Sequence, residues 1–576
     1  MSTLPRSHNI IRTAEFYIKS RFLILRRFYK DTFTDIPKKF RPGKTLQSAP
    51  VLALSESNLW NDDDNNLNRI LTAGKVQNLR VGALKLNEIE LPENSVFCFW
   101  EHIGRPSKSR GFVVGREIRE GCILPTIGGG LCQLSNALYD AALKAGFEII
   151  ERHKHTQVIP GSLAEQDRDA TIKWNYVDLR FKVNTAIRIE VDLTAEQLIV
   201  KFKGFKQQKQ HLSHSNIELR TSSILNDCYS CGNVECFRYP SSKTKNSQEE
   251  STTFVLDEKW PEHETYVNSI ASTKDNFIVP FGRVPRFNIP RYTWQTVSKG
   301  TISSFPVLAL KRAISIRLTN RFKGNLPSTY LKYDQAIVSA VKSKVPVETN
   351  HIVISQNLLP YAWKAGLLWG RTFDVLMTRL PMQTIQERLD SAFNKYAESR
   401  TLNDFRADAE LVNLESIALT RARYIITPHT EIAGIFSQKS HQLKWKTPPI
   451  QAESRKGTRI LYPGASLARK GAYEVRQLAY ELNLSIVLSG HTFECEAFWQ
   501  GIDIHHASGD LFDDVALVIM PAYIENQPRL LIKALSYGIP VIATTACGLP
   551  EMDNLTIVPL GDYEALKSAI LEKINA

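Results

Sequence analysis

No apolar stretch of this sequence approaches the ~20 residues a membrane-spanning helix needs. The start of the chain shows neither the apolar core nor the small-residue cleavage site of a secretory signal, so a cytoplasmic protein is expected. Cysteine is sparse, with eight in 576 residues, most of them scattered. That argues against a disulfide framework and suits a reducing compartment, where clustered cysteines suggest metal. No internal repeat is detectable. No nucleic-acid recognition motif accompanies the net charge of +13, so no nucleic-acid partner is expected.

What is present supports several cores. Apolar residues make up 43% and aromatics 9%, ordinary for globular protein, and the length suits roughly two to four domains. The charge is uneven: residues 1–44 hold eleven Lys or Arg against Glu15, Asp31 and Asp35, so +8 of the +13 sits there. Within this segment Ile11, Ala14, Ile18, Phe22, Leu25 and Tyr29 recur at helical spacing, with Arg12, Glu15, Lys19, Arg26 and Lys30 on the other side. Two readings stand. One is a docking helix with a solvated basic face; the other is a peripheral helix on an anionic membrane, here the inner membrane surface.

The polar stretch "PSSKTKNSQEESTT" (240–253) reads as a linker, and "NDDDNN" (61–66) as a lesser loop. Before the linker the pattern is mixed α/β. "SNALYDAALKAGFEII" predicts a helix with Leu138, Ala141, Ala142 and Ala145 inward and Gly146 as its stop, while "VDLRFKV" and "IRIEVDL" alternate as strands. After it, "HIVIS", "FDVLMTRL" and "RYIITP" form one series of buried strands. "TRILYPG", "LSIVLSG", "VALVIMP", "IPVIAT" and "TIVPL" form a second. Apolar strands alternating with helices imply two doubly wound parallel sheets with a cleft between them.

The segment "TIGGGLCQLSN" places Gly128, Gly129 and Gly130 ahead of a predicted helix. Such glycines either expose backbone N–H groups to a ligand or allow tight packing. Cys132 then falls in the first helical turn, where the dipole favours thiolate, and "ERHKHT" offers His153 or His155 as a base. A buried inert cysteine is the alternative.

Residues 94–190 resemble a VanW domain, through "FWEHIGRPSKSRGFVVGREI", "TIGGGLCQLSNALYDAALKAGFEIIERHKHT" and "DRDATIKWNYVDLRFKVNT". The resemblance covers about a hundred residues in order and departs at Thr126. It implies a role at the bacterial envelope or in peptidoglycan metabolism, without an assigned reaction. It carries Gly128, Gly129, Gly130, Cys132, Gln133, Ser135, Arg152, His153 and His155 as the site. Arg105, Gly111 and Arg116 form a second patch suited to an anion.

"CYSCGNVECFR" sets Cys228, Cys231 and Cys236 in a C-x2-C-x4-C pattern. Three thiolates suit structural zinc, or less readily an iron–sulfur cluster, if His211, His214, His263 or a partner supplies a fourth ligand. Redox-active or unliganded thiols are the remaining reading.

The C-terminal half, through "YPGASLARKGAYEV" and "PAYIENQPRLLIKALSYGIPVIATTACGLPE", resembles GT-B glycosyltransferases of family 4. The resemblance implies a nucleotide-sugar donor. Lys470 and Arg469 would hold its phosphates, and Glu525 its sugar, with backbone amides near Asn526 and Gln527. The family's second glutamate, eight positions on, is here Lys533, and a usual arginine is Ala465. His429 and His351 are further cleft candidates.

The expected organisation is a basic segment (1–45), a VanW domain (46–220), the cysteine cluster (221–239), the linker (240–253), and GT-B-like domains at 254–445 and 446–576. The leading functional expectation is transfer of a sugar to an envelope glycan or its precursor. The alternatives are a non-catalytic scaffold with an inactive transferase module, or a Cys-dependent enzyme of peptidoglycan metabolism.

Overall fold

The computed structural model describes residues 7–8, 10–33, 38–60, 66–119, 122–155, 163–205, 227–228, 251–282, 290–294, 300–322, 325–399, 401–403, 406–449, 457–507 and 510–575. These divide into two compact units. The first is Met1–Ser251 with Pro346–Asn350 and Leu368–Thr372; the second is Thr252–Val345, His351–Leu367 and Phe373–Ala576. Residues 252 and 253, expected in the linker, instead begin the strand Thr252–Val255.

The first unit is built on an antiparallel sheet of Val51–Asn58, Gln197–Gly204, Ile187–Leu193 and Glu90–Leu91. Gln197–Gly204 alternates strictly between buried and half-buried positions, as a strand with one covered face must. The cover is the helices Asn66–Leu86 and Leu131–Lys144, which lie against this sheet. Leu138, Ala141 and Ala142 are fully buried, while Ala145 caps the helix and Gly146 turns the chain at φ 73°. A second sheet of Val96–Cys98, Arg180–Lys182 and Glu148–Glu151 joins them through stacked Phe97, Phe147, Phe181 and Phe202 rings, 4.8–6.1 Å apart. A hairpin, Val114–Arg119 and Cys122–Ile127, completes the unit and leads into the triple glycine.

The basic segment forms the helix Ile10–Phe33, but with a different inner face from the one its periodicity suggests. Ile18, Phe22, Leu25 and Tyr29 are 65–72% exposed. The side facing the unit runs Phe16, Ser20, Ile24, Arg27 and Asp31. It is fastened by charge: Arg27 pairs with Glu151, and Arg180 donates to both oxygens of Asp31 at 2.8 and 2.9 Å. Among the described residues no helix is long and apolar enough to cross a membrane.

The second unit contains two sheets. In the first the order is Thr301–Ser304, Asn276–Val279, Thr252–Val255, His351–Ser355, Thr372–Leu376, Tyr424–Thr427, Ser440–Gln442. In the second, all parallel, it is Ile504–His506, Ile486–Leu488, Arg459–Tyr462, Val515–Met520, Val541–Thr544, Leu555–Val558. In chain order the second reads 3-2-1-4-5-6, the doubly wound arrangement, and the first six strands of the first sheet repeat it. The cause is visible in the strands: Val541–Thr544 is buried at every position, as parallel strands covered on both faces must be. Where the order reverses, the chain leaves two neighbouring strands in opposite directions and opens a crevice at their carboxyl ends. In the second sheet that point lies beyond Tyr462 and Met520.

Candidate functional site

Two places collect the chemistry-bearing residues, one in each unit. In the first unit the triple glycine ends the hairpin and starts the helix Leu131–Lys144, with Gly130 as its cap at φ 97°. Its neighbours are this chain's own atoms. A Cβ on Gly129 would stand 2.4 Å from the Gly115 carbonyl oxygen, and one on Gly130 would stand 2.1 Å from Lys75 Cγ. Tight packing therefore accounts for these glycines. They also wall a cavity of about 240 Å³, shared with Trp100, Arg105, Pro106, Glu117, Thr126, Ile127, Leu131, Cys132, Ile172, Lys173 and Trp174.

Cys132 is half-buried in the first helical turn, its sulfur 4.0 Å from both Thr171 Oγ1 and the Ile172 carbonyl. It also hydrogen-bonds His155. His155 Nδ1 lies 2.9 Å from Asp169 Oδ2, whose carboxylate further accepts the His155 backbone N–H at 2.6 Å. That leaves Nε2 for the thiol. Burial raises the Cys132 thiol, but the hydrogen bond and charge of His155 outweigh it and bring it below the ordinary range. Burial likewise disfavours a charged His155, yet Asp169 and Cys132 raise it to about 10. The geometry thus favours the charged forms of the pair, thiolate and imidazolium, with the imidazole held by a carboxylate.

The other expected residues of this site have different surroundings. His153 is 48% exposed and faces Glu151 at 3.2 Å. Arg152 bonds the Asp169 carbonyl at 2.7 Å, Asp169 Oδ1 at 3.0 Å and Asp167 Oδ1 at 2.9 Å, with Tyr139 against its guanidinium. It braces Asp169 and does not line the cavity. Ser135 donates to the Ala170 carbonyl at 2.6 Å, and Gln133 ties its helix to Ser57 and Asn58 at 2.9 and 2.8 Å. Arg116 sits on the hairpin outside the cavity lining, and Gly111 closes a short turn. Asp169 was missed by sequence reasoning. It stands 14 residues from His155, a spacing that gives no sign of the contact.

In the second unit, Lys470 and Glu525 meet at the reversal point of the second sheet. Lys470 Nζ is 2.8 Å from both Glu525 Oε2 and the Ile524 carbonyl, and Glu525 Oε1 accepts the Gln527 N–H at 2.8 Å. Burial opposes ionisation of Glu525, but Lys470 and the Asn526 and Gln527 amides hold it below the usual carboxylate range. The loop amides expected for a ligand are thus engaged by Glu525. Arg469 contributes its carbonyl, which accepts the Tyr523 and Ile524 N–H groups at 3.0 and 3.2 Å.

His429, from the end of Tyr424–Thr427, brings Nε2 within 3.2 Å of the Glu525 and Ala546 carbonyls, so that nitrogen donates. Its Nδ1 and Asn526 Oδ1 are buried acceptors without a donor among the described residues. Lys533 lies over the Phe512 and Tyr537 rings at 5.3 and 5.6 Å, which satisfy its charge. Ala465 accepts the Tyr462 hydroxyl proton at its carbonyl, 3.1 Å away. His351 starts its strand, at the opposite end of its sheet from the crevice, and pairs with Asp374 at 3.1 Å.

The Cys228 side chain, Cys231, Cys236, His211 and His214 lie outside the described residues. His263 is buried and stacked on Trp260. Among the described residues no cluster of three or more His, Cys, Asp or Glu is placed to hold a metal.

Comparison with known proteins agrees with both resemblances. Residues 74–203 match the family "VanW like protein", and residues 486–575 match "Glycosyl transferases group 1". The first region is 33% identical over 96 residues to the uncharacterized protein YoaR of Bacillus subtilis, covering 17% of this chain and 31% of that protein. It is 29% identical over 143 residues to the vancomycin B-type resistance protein VanW of Enterococcus faecalis, covering 24% and 52%. The chain thus spans about a third and a half of these relatives' lengths. Among solved structures, the sucrose-phosphate synthase of Thermosynechococcus elongatus aligns at 12% identity and TM-score 0.36, over 57% of this chain and 90% of that one. The lipopolysaccharide outer core galactosyltransferase WaaB aligns at 15% and 0.32, over 56% and 90%. The chain combines a VanW-like domain with a glycosyltransferase-like module.

Proposed function

We propose that the second unit binds a nucleotide-sugar and transfers its sugar to a cell-envelope glycan or glycan precursor. One observation carries this reading. At the crevice of the doubly wound sheet, a cation meets a carboxylate held in its ionised form, Lys470 with Glu525, and His429 Nε2 braces the Glu525 backbone carbonyl at 3.2 Å. The donor has matching parts. Its sugar carries hydroxyl donors for the carboxylate, and its diphosphate needs a cation as negative charge grows on the leaving group.

Without ligand, Lys470 and Glu525 satisfy one another. A bound donor exchanges that pair for two new ones, phosphate on Lys470 and sugar hydroxyl on Glu525. Arg469 is adjacent and supplies further positive potential. The VanW-like region supports an envelope acceptor, and the basic helix Ile10–Phe33 supports a cytoplasmic position against the anionic inner membrane surface, where such precursors are built.

Thermal-shift screening with UDP-, GDP- and ADP-sugars tests the reading. One of them should raise the melting temperature in a concentration-dependent way, because a ligand of the native state stabilises it by RT ln(1 + [L]/Kd). No shift with any of them at millimolar concentration leaves the non-catalytic scaffold reading in its place.

A further inference from the structure

The first unit holds a second set of reactive groups that sugar transfer does not use. We propose that Cys132, His155 and Asp169 form a nucleophile–base–orienter triad that performs acyl transfer on a small amide or ester group entering the cavity beside the triple glycine. This goes beyond the sugar-transfer reading and depends on a separate unit.

Four independent features meet here. Cys132 sits in the first turn of a fourteen-residue helix and lines the cavity. His155 bonds the sulfur on one side and Asp169 on the other, at 2.9 Å. Asp169 is itself fixed by Arg152 through its carbonyl and Oδ1, so the imidazole has a firmly held partner. Finally, among the described residues the Gly130 and Cys132 N–H groups meet no acceptor. Both lie at the junction of the glycines and the helix, beside the sulfur, where a carbonyl oxygen gains charge during attack on its carbon.

The chemistry closes without any further reagent than water. Cys132 Sγ attacks the carbonyl carbon; the C–S bond forms and the carbonyl π pair moves to the oxygen, which the two N–H groups hold. As the carbonyl reforms, the bond to nitrogen or oxygen breaks, and the His155 proton passes to that leaving atom. The acyl group is now a thioester on Cys132. Neutral His155 then takes a proton from water, or from an acceptor amine, as its heteroatom attacks the thioester carbon. The C–S bond breaks, and the thiolate and imidazolium are restored.

The cavity's dimensions limit the substrate. About 240 Å³ is below the usual ~300–1,000 Å³ of a site enclosing a whole drug-sized ligand. It therefore takes one small acyl group beside the paired Trp100 and Trp174 rings, with the remainder outside. At the exposed rim the Arg105 side chain has no partner among the described residues, and it suits an anionic group on that remainder.

Two measurements on the full chain test the triad. Iodoacetamide, read by peptide mass spectrometry at neutral pH, should label Cys132 about tenfold or more faster than the exposed Cys495 of the same molecule. This comparison needs no variant. p-Nitrophenyl acetate should then leave an acetyl group on Cys132 and be hydrolysed with turnover. His155→Gln should reduce that turnover by ~10²-fold or more, while His153→Gln leaves it unchanged. Asp169 acts through His155 as a positioning residue. Asp169→Asn should lower kcat and move the alkaline limb of the pH profile to lower pH. Labelling of Cys132 no faster than Cys495, acetylation spread evenly over cysteines, or His153→Gln and His155→Gln behaving alike would each overturn the proposal.

Discussion

At the scale of single residues, the glycines beside Cys132 make a stability prediction. Gly130→Ala places a side chain at φ 97° and 2.1 Å from Lys75 Cγ, with Lys75 Cβ at 2.8 Å and Cα at 3.1 Å, so the fixed end of that side chain stands in the way. The backbone strain alone costs ~1–3 kcal/mol. Gly129→Ala meets the Gly115 carbonyl oxygen at 2.4 Å. Thermal melts should place both variants below the native chain; unchanged melting temperatures would contradict the packing account. The place of Cys132 was legible in the sequence, because glycines before a helix announce a first turn and Cys132 falls in it. The choice between His153 and His155 was not. It depends on which side chain turns inward beyond Glu151, and the inward one is decided by Asp169, whose place along the chain gives no sign of the meeting.

At the scale of elements, one of the charged contacts between helices of the second unit makes a stability prediction. Arg529, at the start of Arg529–Ser536, donates to both oxygens of Glu262 in Pro261–Ile270 at 2.6 Å. The Glu262 carboxylate is fully buried, and its burial alone would raise it, but Arg529 and the Lys446 N–H bring it below the carboxylate range. Because the native carboxylate is depressed, its contribution is complete above the unfolded value of about 4.3 and is lost as pH falls through the native one. Denaturant titrations should therefore show stability dropping on acidification below about pH 4.5, with Glu262→Gln flattening that slope. At neutral pH Glu262→Gln should cost about 1–3 kcal/mol, since it removes charge-assisted hydrogen bonds from a partly exposed Arg529. An unchanged acid slope would remove this pair from the account.

The helix Ile10–Phe33 was also half legible. Its existence follows from its periodicity, but its docked face is held by Arg27, Asp31 and their partners, and ion pairs leave no apolar rhythm to read. The exposed Phe22 and Leu25 should supply membrane insertion, and the helix's Lys and Arg the preference for phosphatidylglycerol over neutral phosphatidylcholine vesicles in sedimentation assays. Phe22→Asp should weaken binding to both lipids, and salt should weaken the preference. Equal binding to both lipids would exclude an electrostatic membrane surface role.

At the scale of the whole molecule, two α/β units, each with its own candidate site, share one chain. The buried strands of the second unit were readable as apolar runs, and their parallel order followed from the intervening helices. Shorter strands such as Asn276–Val279 and Ile504–His506 were not, since three or four residues carry too little pattern to separate from a loop. The crevice residues were legible through resemblance, but not their mutual satisfaction: Lys470 and Glu525 pair with one another when no ligand competes. The central claim is that this pair opens to a nucleotide-sugar. Isothermal calorimetry with UDP, GDP and their sugars, on the native chain and on Lys470→Ala, tests it most directly. The account predicts sub-millimolar binding of one nucleotide-sugar, weakened about ten- to a hundredfold in Lys470→Ala as a charge-assisted contact worth ~1.5–3 kcal/mol is lost. Absence of binding below millimolar for every nucleotide and sugar, or binding indifferent to Lys470, would contradict it.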